Sequence, residues 1–182
     1  MKTLILILTT VTVCITADAA KMWRQFNEGD SMSVVRSKIR KDRRMSIDSK
    51  IVPVFPGAYT EELHARYKGY GIVFAFYRKG LSCVVIMYST KYVDSSSRDR
   101  YLKTLTTFYS IQDRVIKYGT AHRDANDVLT KKSKDRVVSI MHNEDTEDLS
   151  LTATLIIFTR EFYTRLSSKT TKSTEIEIDD MY

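Results

Sequence analysis

Apolar and polar residues alternate most regularly late in the chain, in LSLTATLIIF. Leu149, Leu151, Ala153, Leu155 and Ile157 fall on one side, and Ser150, Thr152 and Thr154 on the other. A period of two marks a half-buried strand. The segment 135–142, within DRVVSIMHN, precedes it across the polar turn EDTED and is its predicted partner. A second pair stands out in GIVFAFYRKGLSCVVIMYSTKY, where two apolar, β-branched and aromatic runs flank Arg78-Lys79-Gly80. That pattern predicts a hairpin, and runs apolar on both faces belong at the centre of a sheet.

YLKTLTTFYSI sets Tyr101, Leu105, Tyr109 and Ile111 on one face, which predicts a strand over 101–111. Taken together, 31–39, 47–54, 70–78, 81–92, 101–111, 113–121, 135–142 and 149–159 predict an all-β fold, a sandwich or antiparallel barrel of about eight strands. Short helices are predicted at 20–28 and at 123–133, where Val128 and Leu129 would dock a polar stretch. No internal repeat or domain boundary is evident, so 20–166 reads as one domain.

The first residues change the picture. MKTLILILTTVTVCITADAA has Lys2, an apolar run from Leu4 to Ile15, and small Ala17 and Ala19 before a cleavage point. This is the order of a secretory signal peptide, predicted over 1–19. The run of about 12 residues is short of the ~20 needed to span a bilayer. Export to the extracellular space follows, with no membrane partner expected. Cleavage would remove Cys14 and leave Cys83 as the only thiol. No internal disulfide can then form. Cys83 packs as a small hydrophobe or bridges two chains, giving a monomer or a Cys83-linked dimer. No N-x-S/T sequon is present.

Motifs for catalysis are missing. His122-Arg123-Asp124 mimics a kinase loop, but Leu129 stands where Asn is required. GLSCV lacks the second glycine of a nucleophile elbow, and there is no H-E-x-x-H, C-x-x-C or P-loop. Asp124-Ala125-Asn126-Asp127 fails as a calcium loop at its fifth and sixth positions. His64, His122 and His142 are scattered, and Glu61-Glu62 and Asp179-Asp180 read as solvated surface. No enzyme activity, cofactor or metal is predicted, although a hydrolase assembled from distant residues would leave no such trace.

The net charge is +7, and much of the excess lies in one run. Arg36, Lys38, Arg40, Lys41, Arg43 and Arg44 face only Asp42 and Asp48 nearby. Such a run is a solvated loop or a surface for sulfated glycans, anionic lipid or nucleic acid, of which nucleic acid is not the expected partner. The segment 167–182 is Ser/Thr/Lys-rich and then acidic, and reads as a tail that folds back on the basic run or recruits a partner.

The phrase KMWRQFNEGDSMSVVRSKIRKD, residues 21–42, carries the only tryptophan. Behind a signal peptide, its Trp23, Phe26 and Gly29, followed by Val34, Val35, Arg36, Ser37 and Asp42, resemble the opening of tick salivary lipocalins. In that family an aromatic-bearing helix leads into the first barrel strand. Two departures stand against the match: the family's disulfides are absent, and LIIFTREFY occupies the place of its late Cys-Glu-Leu-Trp phrase.

The resemblance implies a closed lipocalin-like barrel that sequesters a small host mediator, a lipid or a biogenic amine, with Trp23 as a plug across the closed end. An ordinary core tryptophan fits the same residues. Phe74, Phe76, Tyr101 and Tyr109 are the expected ligand-facing aromatics. Glu161 is the nearest carboxylate for an amine, and the shortage of acids in the strands favours a neutral or anionic lipid. The alternative is a secreted interaction module with a filled core, acting on a host protein or sulfated glycan through its basic surface and acidic tail.

Overall fold

A computed structural model describes residues 20–49, 52–55 and 61–168. The predicted signal peptide over 1–19 and nearly all of the predicted tail lie outside the described residues. The chain begins with a small hairpin, β1 (Lys21–Trp23) and β2 (Phe26–Asn27), followed by helix α1 (Met32–Lys41). Four strands come next: β3 (Met45–Ile47), β4 (Glu61–Tyr67), β5 (Tyr70–Tyr77) and β6 (Gly80–Lys91). A long helix, α2 (Ser95–Val115), leads to β7 (Thr120–Arg123), β8 (Leu129–Lys132), β9 (Arg136–Asp145) and β10 (Ser150–Thr159). A last helix, α3, covers 160–168.

The fold is mostly β, built on one eight-stranded antiparallel sheet in the order β3-β4-β5-β6-β10-β9-β8-β7. A helix followed by a four-strand meander therefore occurs twice. The meanders join last strand to last strand, where β10 runs antiparallel to β6 with Leu155 opposite Ile86. This duplicates topology without repeating sequence. It also leaves both first strands, β3 and β7, at the edges, so strand pairing does not close the sheet into the expected barrel.

The hairpin 70–78/81–92 and the strands 135–142 and 149–159 form as predicted. The segments 31–39 and 101–111 do not: both are helical. In α1, Ser31 caps the first turn by accepting from Val34 N at 3.4 Å, and Val35 and Ile39 bury one face. Lys38, Arg40 and Lys41 suit the negative end of the helix dipole. In α2 the buried residues are Tyr101, Thr104, Leu105, Phe108 and Gln112, steps of three and four that only a helix places on one face. β-branched and aromatic content made this stretch look like a strand, but Asp94 caps it, its Oδ1 accepting from Ser97 N at 2.8 Å.

Both predicted helices are hairpins instead. Residues 20–28 form β1–β2, turning at Arg24 with φ 51°, and 123–133 includes the β7–β8 turn at Asp127 with φ 60°. The segment 113–121 is the end of α2 and a loop rather than a strand, and of 47–54 only Ile47 is in a strand among the described residues. Strand β4 was missed because only Leu63 and Ala65 of EELHARY point into the core.

The sheet is packed on both faces. The front face carries Leu63, Ile72, Phe74, Phe76, Val84, Ile86, Val138, Ile140, Leu155 and Ile157 beneath α1, α2 and the N-terminal hairpin. On the back, Val73, Ala75, Cys83, Val85 and Val137 meet Phe158 and Phe162. Arg136, itself buried, ties the hairpin down through an ion pair with Glu28 and a hydrogen bond to the Ala20 carbonyl at 3.1 Å.

Candidate functional site

Packing on the front face is incomplete where α2, the N-terminal hairpin and the sheet converge. A cavity of about 640 Å³ opens there. Met22, Trp23, Ile86, Phe108, Ile111 and Val115 supply apolar wall, Tyr67, Tyr70 and Thr107 supply hydroxyls, and Lys21, Arg24 and Arg114 supply charge. Among the described residues no carboxylate lines it.

Its wall is ordered by aromatic and cationic contacts. Trp23, 8% exposed, stacks on Phe26 with centroids 6.0 Å apart and meets the Tyr67 ring edge-on at 5.6 Å. Arg24, in the left-handed turn, sets its guanidinium 4.5 Å from the Tyr67 ring centre. Its Nη1 donates to the Tyr67 hydroxyl at 2.7 Å, Nη2 lies 3.5 Å from the Asp42 carboxylate, and Nε is buried without a partner. Asp42, the C-cap of α1, also accepts from Arg44 side chain and backbone, which hold its carboxyl below the usual range. The Tyr70 ring tilts against Tyr88 at 5.4 Å and Phe108 at 6.2 Å.

The charge pattern selects among ligands. A cation held here would find no anion on the wall, and burying an unpaired charge is costly. A carboxylate, sulfate or phosphate would meet up to three cations while its apolar part covered Phe108, Ile86 and Met22.

Of the expected site residues, only Trp23 lines this cavity. Phe74 and Phe76 are buried on the front face within the core. Tyr101 is buried in α2 and donates to the Thr152 carbonyl at 3.2 Å; burial, with help from Glu144 and Tyr109, raises its pKa. Tyr109 is half-buried on α2 outside the lining. Glu161 is exposed on α3 and pairs with Arg78 at 2.8 Å, remote from the cavity wall. Tyr67, Tyr70, Phe108, Arg24 and Arg114 were overlooked. The helical spacing of 101, 105, 108, 112 and 115 was the available signal for the α2 wall.

The basic run divides. Lys38 pairs with Asp30 at 2.6 Å and Arg44 with Asp42 at 2.8 Å, whereas Arg36, Arg40, Lys41 and Arg43 are exposed. The run belongs to α1 and its following turn, not to a loop between strands.

Three other candidates are structural. Glu62, expected on the surface, is buried and accepts from Val54 N at 3.0 Å and Phe55 N at 2.9 Å, with His64 Nε2 at 2.9 Å. It clamps 54–55 over the back cluster. Cys83 is fully buried, and burial first, with the negative charge of Glu62 second, pushes its thiol pKa well up. A bridge to a second chain would require β6 to open. Asp124 organises the β7–β8 turn by accepting from Asn126 N and Val128 N.

Among the described residues no three His, Cys, Asp or Glu side chains converge as metal ligands, and no helix is long and apolar enough to cross a membrane. Comparison with protein-family models, curated proteins and solved structures gives no match to this chain.

Proposed function

We propose that this chain is a secreted, non-enzymatic carrier that holds one small amphipathic anion, a lipid mediator in preference to an amine. The observation that carries the reading is the cavity, whose lining combines apolar side chains with three cations and, among the described residues, includes no carboxylate. Its volume lies within the ~300–1,000 Å³ of small-molecule sites. Secretion rests on the leader. The kinship to tick salivary lipocalins rests on the Trp23 to Asp42 phrase and is part of the proposal, as is any closure of the sheet toward a barrel. The reading does not depend on closure, because α2 and the N-terminal hairpin wall the cavity in place of further strands.

Trp23 is the single tryptophan and sits on the wall, so its emission reports occupancy. Titration with an unsaturated C18 fatty acid should change that emission saturably at one molecule per chain. The matching C18 amine should bind at least tenfold more weakly. Arg114→Ala should weaken the acid and leave the corresponding alcohol unchanged. Trp23→Phe should retain binding, followed by displacement of a polarity-sensitive dye. Equal affinity for acid and amine, or no saturable response to any of the three, overturns the proposal.

A second reading, an interaction module for a host protein or sulfated glycan, is favoured by the exposed cations Arg36, Arg40, Lys41 and Arg43. Salt-sensitive retention on heparin without fatty-acid uptake would select it.

A further inference from the structure

The cavity opens through its exposed members. Of its lining residues, Lys21, Thr107 and Arg114 are exposed, whereas Met22, Trp23, Ile86 and Phe108 are buried. Exposed lining residues mark where a cavity meets solvent, so the mouth lies between the N-terminal hairpin and the C-terminal half of α2.

Further cations surround that mouth. Tyr67, on the wall, has the Arg44 guanidinium 5.7 Å and the Lys68 ammonium 5.8 Å from its ring centre. Lys68 is exposed in the tight β4–β5 turn, where it and Gly69 have φ of 48° and 86°. Lys117 follows α2, its ammonium 5.5 Å from the ring centre of Tyr118, which is 81% exposed. The nearby acids are engaged: Asp42 by Arg24 and Arg44, and Asp113 by Lys131 at 3.1 Å. Among the described residues Lys21, Lys68, Arg114 and Lys117 have no carboxylate partner.

An excess of positive charge, an exposed aromatic ring and the opening of an apolar cavity thus meet on one surface. A sulfated glycan would use the charge alone. An anionic bilayer uses all three: its headgroups attract cations, tyrosine settles at headgroup level, and its acyl chains match the apolar lining.

We infer that the mouth is a docking surface for an anionic lipid bilayer, with Lys21, Lys68, Arg114 and Lys117 on the headgroups and Tyr118 in the interface. The inference rests on the carrier reading and extends it, making the bilayer the place where the amphipathic acid is taken up and delivered. Docking over the mouth lets the acyl chain pass from membrane to cavity without exposing its apolar surface to water. Such contact is peripheral and needs no membrane-spanning helix.

Sedimentation of the full chain with phosphatidylcholine vesicles, with or without phosphatidylserine, tests it in about 0.15 M salt, where screening acts over about 8 Å. Binding to the anionic vesicles should exceed binding to the neutral ones at least tenfold. Lys68→Glu with Lys117→Glu should lower it by about tenfold or more. Neither residue lines the cavity, so uptake of the unsaturated C18 acid in vesicle-free solution, read by Trp23 emission, should be unchanged. Tyr118→Ala should weaken vesicle binding severalfold at constant charge. Lys79→Glu with Arg165→Glu makes the same change of charge at the other end of β5, about 26 Å away along eight residues, and should leave vesicle binding intact. Equal losses from the two charge-reversal pairs would overturn the inference. Acid uptake in solution without anionic-vesicle binding would overturn it and leave the carrier reading standing. Heparin binding that Lys68→Glu with Lys117→Glu abolishes, without vesicle binding, would overturn it in favour of a sulfated glycan. No acid uptake with or without vesicles would remove the carrier reading and the inference with it.

Discussion

The two halves of the sheet share a plan and differ in how their helices are used. In the first, α1 has 10 residues and buries Val35 and Ile39 beside β3, leaving its outer face to cations. In the second, α2 has 21 residues and crosses to β6, β9 and β10 with five buried positions. The long helix roofs the sheet. The short one does not reach as far, so the N-terminal hairpin fills in, and the gap between hairpin and α2 is the cavity. A difference in helix length within a duplicated plan thus creates the space for a site.

That comparison predicts unequal dependence on the two helices. Phe108→Ala on α2 should cost about 3–5 kcal/mol, lowering the melting temperature by roughly 6–20 °C at 2–4 °C per kcal/mol. Val35→Ala on α1 should cost about 2 kcal/mol. Equal losses by thermal denaturation would break the comparison.

The next effect concerns how α2 grips its meander. Gln112 Nε2 donates to the Leu129 and Val138 carbonyls at 3.2 and 3.3 Å, the latter in a buried position. Gln112→Ala should cost about 1–3 kcal/mol by leaving acceptors unpaired. Hydrogen exchange should quicken in β8 and β9 first, with β4 and β5 unaffected. Uniform quickening would mean that the halves unfold as one unit.

The links from helix to meander should also differ. A methyl group at Gly119, after α2, would meet the Lys132 carbonyl and lie 2.6 Å from Ile116 Cγ2. Gly119→Ala should therefore cost about 1–3 kcal/mol through overpacking. Arg43→Ala, in the corresponding link after α1, should stay within about 0.5 kcal/mol. Chemical denaturation of both variants checks the contrast.

The smallest effect is electrostatic. Asp94 caps α2 and, held by the Ser97 backbone N–H and the Ser96 and Ser97 hydroxyls, has a pKa below its ordinary 3.8. A depressed carboxylate stabilises fully above its unfolded pKa and loses that contribution as pH falls through the folded value. Asp94→Asn, which still offers an accepting oxygen, should flatten the acid limb of the melting curve below about pH 4. Ser31 caps α1 without a charge, so Ser31→Asn should leave that limb unchanged.

Much of the fold was visible in the chain itself. Strands β5, β6, β9 and β10 follow from apolar runs and strict alternation, because a central strand has few other ways to bury such residues. The helices were hidden for a definite reason. Tyr101, Thr104 and Phe108 favour strands by type, yet their burial follows a helical step, and packing outweighs propensity of a few tenths of a kcal/mol per residue. The site was harder to read. Trp23 was conspicuous, but its neighbours Tyr67, Tyr70, Phe108 and Arg114 come from separate elements.

From sequence alone came the mostly β class, the central hairpin and the excess of positive charge, since composition and short-range periodicity act within a few residues. Tertiary structure decided that the meanders meet through β6 and β10, that the sheet edges stay apart, and that Trp23 looks onto a cavity. Those outcomes depend on contacts between residues tens of positions apart, whose partners are set only when long-range packing chooses which faces meet.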